Sequence, residues 1–254
     1  MPEIVPHILA ETADEVLTLT IDRPEKKNAL TREMYEALAD QIHQASDDLS
    51  IGAIVLRGAG GVFTAGNDLR DFQERAATPE DTRPSGGMLL LQAVATCKTP
   101  LIASVGGLAI GIGTTILLHC DFAYAGRSAR FRTPFIDLGL SVEGASSLLM
   151  AQLIGPRAAN ELLLAGDVIE AERAASLGLV NAVVEDAELD RVVQERAAAL
   201  AAKPRQALRT AKQMIQEARG TAVLDTIDRE YVAFAACLRS EEAQAIFARF
   251  FEKV

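Results

Sequence analysis

Residues 101–120 read LIASVGGLAIGIGTTILLHC, and residues 53–72 read AIVLRGAGGVFTAGNDLRDF. Each passes from a short apolar run through a glycine-rich loop to the start of a helix, so the two form a weak internal repeat. The first turn of a helix leaves its N–H groups unpaired and carries partial positive charge. Each unit can therefore aim a backbone donor at an anion, and two units side by side make an oxyanion hole. For either unit alone the plainer explanation is a tight turn that glycine permits; the pair is more informative than its members. Neither segment fits GxxxxGK[ST], or GxGxxG with its downstream acid, so no nucleotide site is read.

Outward from the repeat, short apolar runs alternate with amphipathic helices. Ile4 to Ala10 and Val16 to Ile21 suggest a hairpin with Asp14 in its turn. Thr31 is placed to cap a helix that buries Met34, Leu38, Ile42 and Ala45. Ala53 to Leu56, Leu101 to Val105 and Phe122 to Ala125 read as further strands, which with intervening helices implies right-handed crossovers and a largely parallel sheet. From Gly144 the text turns helical, over Ala145 to Ile154, Pro156 to Ala165, Ala171 to Leu177, Leu189 to Ala202 and three more helices after Pro204, with Val180 to Val184 the one strand. The expected organisation is an α/β core over 1–186 and a C-terminal helical region over 187–254 that packs on its own core or reaches a neighbouring subunit.

The chain has 254 residues, 49% hydrophobic and 24% charged, enough to bury a full core. A net charge of -10 argues against a general nucleic-acid or anionic-membrane surface, so an anionic ligand must meet local positive groups. Cys97, Cys120 and Cys237 are too widely spaced for a CxxC site and odd in number for a disulfide framework, which fits a reducing cytoplasm. His7, His43 and His119 are scattered and suggest no metal site. Neither end carries a recognisable targeting signal, and the expectation is a cytoplasmic protein. Thr99 to Leu118 is 20 residues without a charge, but its four glycines break the run and no basic cluster flags a membrane span.

A second stretch carries the chemistry: FRTPFIDLGLSVEGASS, residues 131–147, in which Glu143 follows an apolar, glycine-flanked run. A carboxylate there, with Phe131, Phe135, Ile136, Leu138, Leu140 and Val142 to dry it, would gain proton affinity toward the operating pH. Its bland alternative is an acid in the first turn of a helix, favourable to the dipole. Ser141 is a candidate cap for that helix, Ser146 and Ser147 read as packing residues, and Asp137 is a weaker candidate base. Arg205, Arg209 and Lys212 fall at helical spacing and read as a solvated face.

FTAGNDL at 63–69, ASVGGLAIGIGTT…CDFAYAG across 103–126 and LLLAGDVIEAERAASLGLVNAVV at 162–184 resemble the crotonase (enoyl-CoA hydratase/isomerase) superfamily, as does DRPEKKNAL at 22–30. The resemblance covers nearly the whole chain. It implies a spiral of repeated ββα units with a C-terminal helical region, a homotrimer or a pair of trimers, and an acyl-CoA substrate with no separate cofactor. It also implies that the oxyanion donors are the N–H groups of Asn67 and Ile112, the positions the repeat picks out independently. By the same resemblance Lys26, Lys27, Asn28 and Ala29, with Phe251 and Lys253, are expected to receive coenzyme A, and Ala65, Asp68, Leu69, Thr115, Phe135 and Leu140 to form the substrate pocket, with the segment from Asp71 to Leu91 as its wall.

Where hydratases of that superfamily carry two glutamates, this chain has Thr115 and Phe135, neither of which can activate water near neutral pH. FxTPFxxLGxSxEG instead resembles the peroxisomal-type Δ3,Δ2-enoyl-CoA isomerases, in which a single Glu, here Glu143, comes from the following helix start. One base suffices for moving a double bond from C3 to C2: a proton leaves C2 and returns at C4, while the enolate is held at its oxygen, each donor being worth about 3 kcal/mol. The alternatives are another acyl-CoA enolate reaction (hydration, decarboxylation, C–C cleavage, thioester hydrolysis) or a member that binds acyl-CoA without turnover.

Overall fold

The computed structural model describes residues 6–71 and 84–251, the side chains of Phe250 and Phe251 excepted. Among these, a six-stranded sheet runs in the order β1 (Ile8–Ala13), β2 (Val16–Ile21), β3 (Ala53–Gly58), β4 (Leu101–Val105), β6 (Phe122–Gly126) and β9 (Ala182–Val184). Every pairing is parallel except β1 with β2, whose hairpin turns at Asp14 and Glu15, both with positive φ. A second sheet joins β5 (Leu108–Ile110), β7 (Arg130–Arg132) and β8 (Ile169–Glu170). The result is a mixed α/β architecture with helices packed on both faces of the main sheet.

Helix α1 (Arg32–Asp47) begins as its sequence dictates, with the Thr31 hydroxyl accepting from the Met34 N–H, and buries Met34, Leu38, Ile42 and Ala45. It packs against α2 (Gly86–Thr96) on one face of the sheet, where Ile54 and Leu56 meet it. Alternate residues of the same strand, Ala53 and Val55, face the other way onto α7 (Leu189–Ala201), through Val193, Ala197 and Leu200. The uncharged 99–118 stretch is divided between β4, β5 and the short α3 (Ile112–Thr115). No helix among the described residues is long and apolar enough to cross a membrane.

Several sequence expectations need correction. Strand β1 lies at Ile8–Ala13, not Ile4 to Ala10: it is an edge strand with exposed side chains beyond Ile8, so hydrophobic alternation does not mark it, and Ile4 and Val5 lie outside the described residues. The strand near Val180 starts at Ala182. Strands β5, β7 and β8 escape the sequence reading because each spans three residues or fewer, too short for a periodic signal.

Arg205, Arg209 and Lys212, on α8 (Arg205–Glu217), are not a solvated face. Lys212 is buried, its ammonium 2.6 Å from Asp121 and donating to the Thr99 carbonyl. Arg209 donates to the Thr99 hydroxyl and the Ser46 carbonyl, and Arg205 reaches Glu15 at 2.7 Å. These cations clamp α8 onto the end of the α/β core.

Candidate active site

One cleft gathers the two halves of the repeat and the 131–147 stretch. Asn67, Ile112 and Glu143 all line it. The donors are freed by backbone geometry. Leu30 bridges to the first loop by donating to the Gly66 carbonyl and accepting from the Asp68 N–H, which turns the intervening Asn67 N–H to the opposite side. Ile112 opens α3, and a first-turn N–H has no intrahelical partner. Gly66 makes the approach of the two loops possible: its φ is +84°, and a Cβ there would stand 2.7 Å from the Ile110 carbonyl oxygen. The Asn67 side chain is held from behind, its Oδ1 accepting from the buried Tyr35 hydroxyl at 2.8 Å. Burial first, and then the charges of Glu143 and Asp71, raise that phenol well above its ordinary value, so it stays a donor.

Glu143 sits in the loop ahead of α4 (Ser146–Ile154), not within the helix, so it is not a first-turn acid serving the dipole. Ser141 does not cap α4 either; the N-cap position is Ala145, in the left-handed region. The residue keeps some surface toward the cleft, but protein encloses its carboxyl, and this desolvation pushes its pKa up to about 8; a hydrogen bond from Thr115 opposes the shift and the charge of Glu230 adds to it. The Thr115 hydroxyl donates to Oε1 at 2.5 Å. Next along the loop, the Gly144 carbonyl lies 2.8 Å from His119 Nε2. A carbonyl only accepts, so Nε2 carries the proton, and burial lowers the imidazole to about 4, keeping it neutral.

Apolar walls complete the cleft: Gly87, Met88 and Leu91 of α2 on one side, and Ile227, Tyr231, Phe234 and Leu238 of α9 (Ala222–Leu238) on the other. Ser85, Met88 and Leu91 fall in the part of the expected 71–91 wall that is described; 72–83 lie outside it. Of the expected drying residues Phe131, Phe135 and Leu140 are buried, but Ile136 is 48% exposed. Asp137 does not line the cleft and pairs with Arg132 at 2.8 Å.

None of the six expected pocket residues lines this cleft. Thr115 stands behind Glu143. Phe135 and Leu140 join Leu238 and Phe247 in a small apolar cluster on which Leu69 packs, Phe135 stacking edge-on against Phe234. Asp68 pairs with Arg23 at 2.7 Å, and the Ala65 N–H donates to the Lys27 carbonyl. Of the expected coenzyme A contacts, Lys26 and Lys27 are exposed. Asn28 is fully buried instead, its amide bonded to the Ala59 and Val62 carbonyls and its Oδ1 to the Arg23 N–H; the Ala29 carbonyl accepts from the Arg23 guanidinium. Lys253 and the Phe251 side chain lie outside the described residues. Sequence reasoning missed Tyr35, Glu230 and the α9 wall. The spacing of Ile227, Tyr231, Phe234 and Leu238 marks a helix face, but nothing local says that this face meets Glu143.

The enoyl-CoA hydratase/isomerase family model matches residues 11–254. The chain is 35% identical to enoyl-CoA delta isomerase 2 of Homo sapiens over 214 residues, 83% of this chain and 54% of the human protein, so it spans about half the length of that relative. It is 31% identical to 2,3-dehydroadipyl-CoA hydratase of Escherichia coli (97% and 96% of the two chains). Among solved structures, an enoyl-CoA hydratase/isomerase from Pseudoalteromonas atlantica superposes with a TM-score of 0.91 at 41% identity, covering 97% of each chain.

Proposed function

The chain belongs to the enoyl-CoA hydratase/isomerase family, and on that premise we propose that it is an enoyl-CoA isomerase, moving the double bond of a 3-enoyl-CoA to the 2-position with Glu143 as its single base. The observation that carries this reading is that Glu143 is the one acid among the described residues lining a cleft that Asn67 and Ile112 also line. Glu143 takes a proton from C2. The C2–H electrons form the C2=C1 bond of a dienolate, whose negative charge rests on the thioester oxygen between the two donors. The same carboxyl then delivers the proton to C4, the C3–C4 double bond becomes C2–C3, and the thioester is restored. A pKa near 8 suits a group that must both accept and return a proton. Lys26 and Lys27 meet the phosphates of coenzyme A in this reading, which their exposure supports. The assembly we favour is a trimer or pair of trimers in the cytoplasm, supported by Met214 and Ile215, which α8 leaves more than half exposed, and read directly by sedimentation velocity.

Purified protein added to a 3-enoyl-CoA should generate the ultraviolet absorbance of a conjugated 2-enoyl thioester. Glu143→Gln should retain binding of the ester and lose roughly a thousandfold in kcat. Hydration of a 2-enoyl-CoA with no isomerisation of the 3-enoyl ester would overturn the reading in favour of a hydratase.

A further inference from the structure

Glu230 is a buried acid that the isomerisation itself does not use. It lies in α9, on the turn between Ile227 and Phe234 of the cleft wall, yet it does not line the cleft. Its Oε1 accepts from the Ser147 N–H at 2.9 Å, and the N–H groups of Ala145 and Ser146 also bear on it. These are the opening amides of α4, the helix that begins directly after the Glu143 loop. Local sequence supplies no cap there, since Ala145 has no side-chain oxygen and its φ is +54°. A carboxylate from another helix, 83 residues away, takes that place. Two buried side-chain oxygens at this junction, Glu230 Oε2 and Ser146 Oγ, have no partner among the described residues.

We propose that Glu230 is a positioning residue for Glu143: as an anion it caps the first turn of α4, fixes the loop that presents Glu143, and places a second negative charge behind that base. This rests on the isomerase reading. The groups facing Glu143 are Thr115, Tyr35 on α1, His119 through the Gly144 carbonyl, and Tyr231 and Glu230 on α9. No Lys or Arg is among the described residues lining the cleft. Burial raises the Glu230 carboxyl, but hydrogen bonds from Ser147 and from the Ala145 and Ser146 N–H groups oppose that rise, while Glu143 has a single hydroxyl donor. The opening amides of α4 thus engage Glu230, while Glu143, with its single hydroxyl donor, carries the proton between C2 and C4. Because α9 also forms the acyl wall, a substrate seated against Tyr231 and Phe234 bears on the helix that holds the base in place.

The test needs no turnover. Carbon-13 NMR of protein labelled at the glutamate carboxyl follows each titration, with the Glu143 resonance identified by its loss in Glu143→Gln. In Glu230→Gln, which keeps an acceptor oxygen but not the charge, the Glu143 midpoint should fall by roughly one pH unit. The pH limb of kcat/KM should move with it. An unmoved midpoint in a folded variant overturns the proposal. Should Glu230→Gln fail to fold, the reciprocal measurement decides: the Ser147 amide proton reports the Glu230 titration, which should fall in Glu143→Gln, and an unchanged midpoint there overturns the coupling. Wild-type protein that fails to isomerise 3-enoyl-CoA sinks the isomerase reading alone, since both titrations remain measurable.

Discussion

The Glu143 carboxyl is set by a balance between burial, which favours its neutral form, and one hydroxyl, which favours its anion. The sign of a pH dependence follows. In the proposed isomerisation Glu143 must be ionised to take the first proton, so kcat/KM should rise with pH through about 8. Thr115→Val removes the donor that stabilises the anion, which raises the carboxyl further; the limb should move to higher pH by roughly one unit, with a several-fold loss at pH 7, measured on the 3-enoyl ester. A limb that stays in place would mean that Thr115 only fills space. Glu143 was legible in the sequence as a candidate because it follows an apolar, glycine-flanked run. Its partner Thr115 was visible only as a departure from a two-glutamate pattern; that its hydroxyl meets Glu143, 28 residues on, is a tertiary fact.

Among the elements, the loop from Arg23 to Leu30, where coenzyme A contacts are expected, also carries a structural role. Asn28 occupies the left-handed region, φ +56°, and ties the loop to both sides of the turn after β3. Asn28→Ala should therefore cost about 3 kcal/mol in a urea titration while leaving ester affinity in the surviving folded protein nearly unchanged, since three buried hydrogen bonds are lost and their partners stranded. A large loss of affinity at unchanged stability would show instead that Asn28 serves coenzyme A. Helices with local signals were legible: the Thr31 cap, the periodic face of α1, and the left-handed Gly178 that ends α6 (Ala171–Leu177). The capping of α4 was not, because its cap is borrowed from α9.

Across the whole molecule, the C-terminal helices complete the core that precedes them. Helix α7 covers the far face of the sheet, α9 closes the cleft, and α8 is fastened by cations whose spacing imitates a solvated stripe. Lys212→Met should lower stability by about 2 kcal/mol and open α8 to limited proteolysis, because Asp121 and the Thr99 carbonyl lose their buried donor; the Leu101 N–H still bonded to Asp121 moderates the loss. Unchanged protease resistance would show that packing alone holds the helix. By itself the sequence determined the central parallel strands, the hairpin that precedes them and the C-terminal run of helices, since each depends on local periodicity, glycine or a short motif. Only the tertiary structure decided which residues surround that base. Tyr35, Glu230 and the wall of α9 reach the site from opposite ends of the chain, and a cleft between helices is set by how their faces pack, which no local pattern encodes.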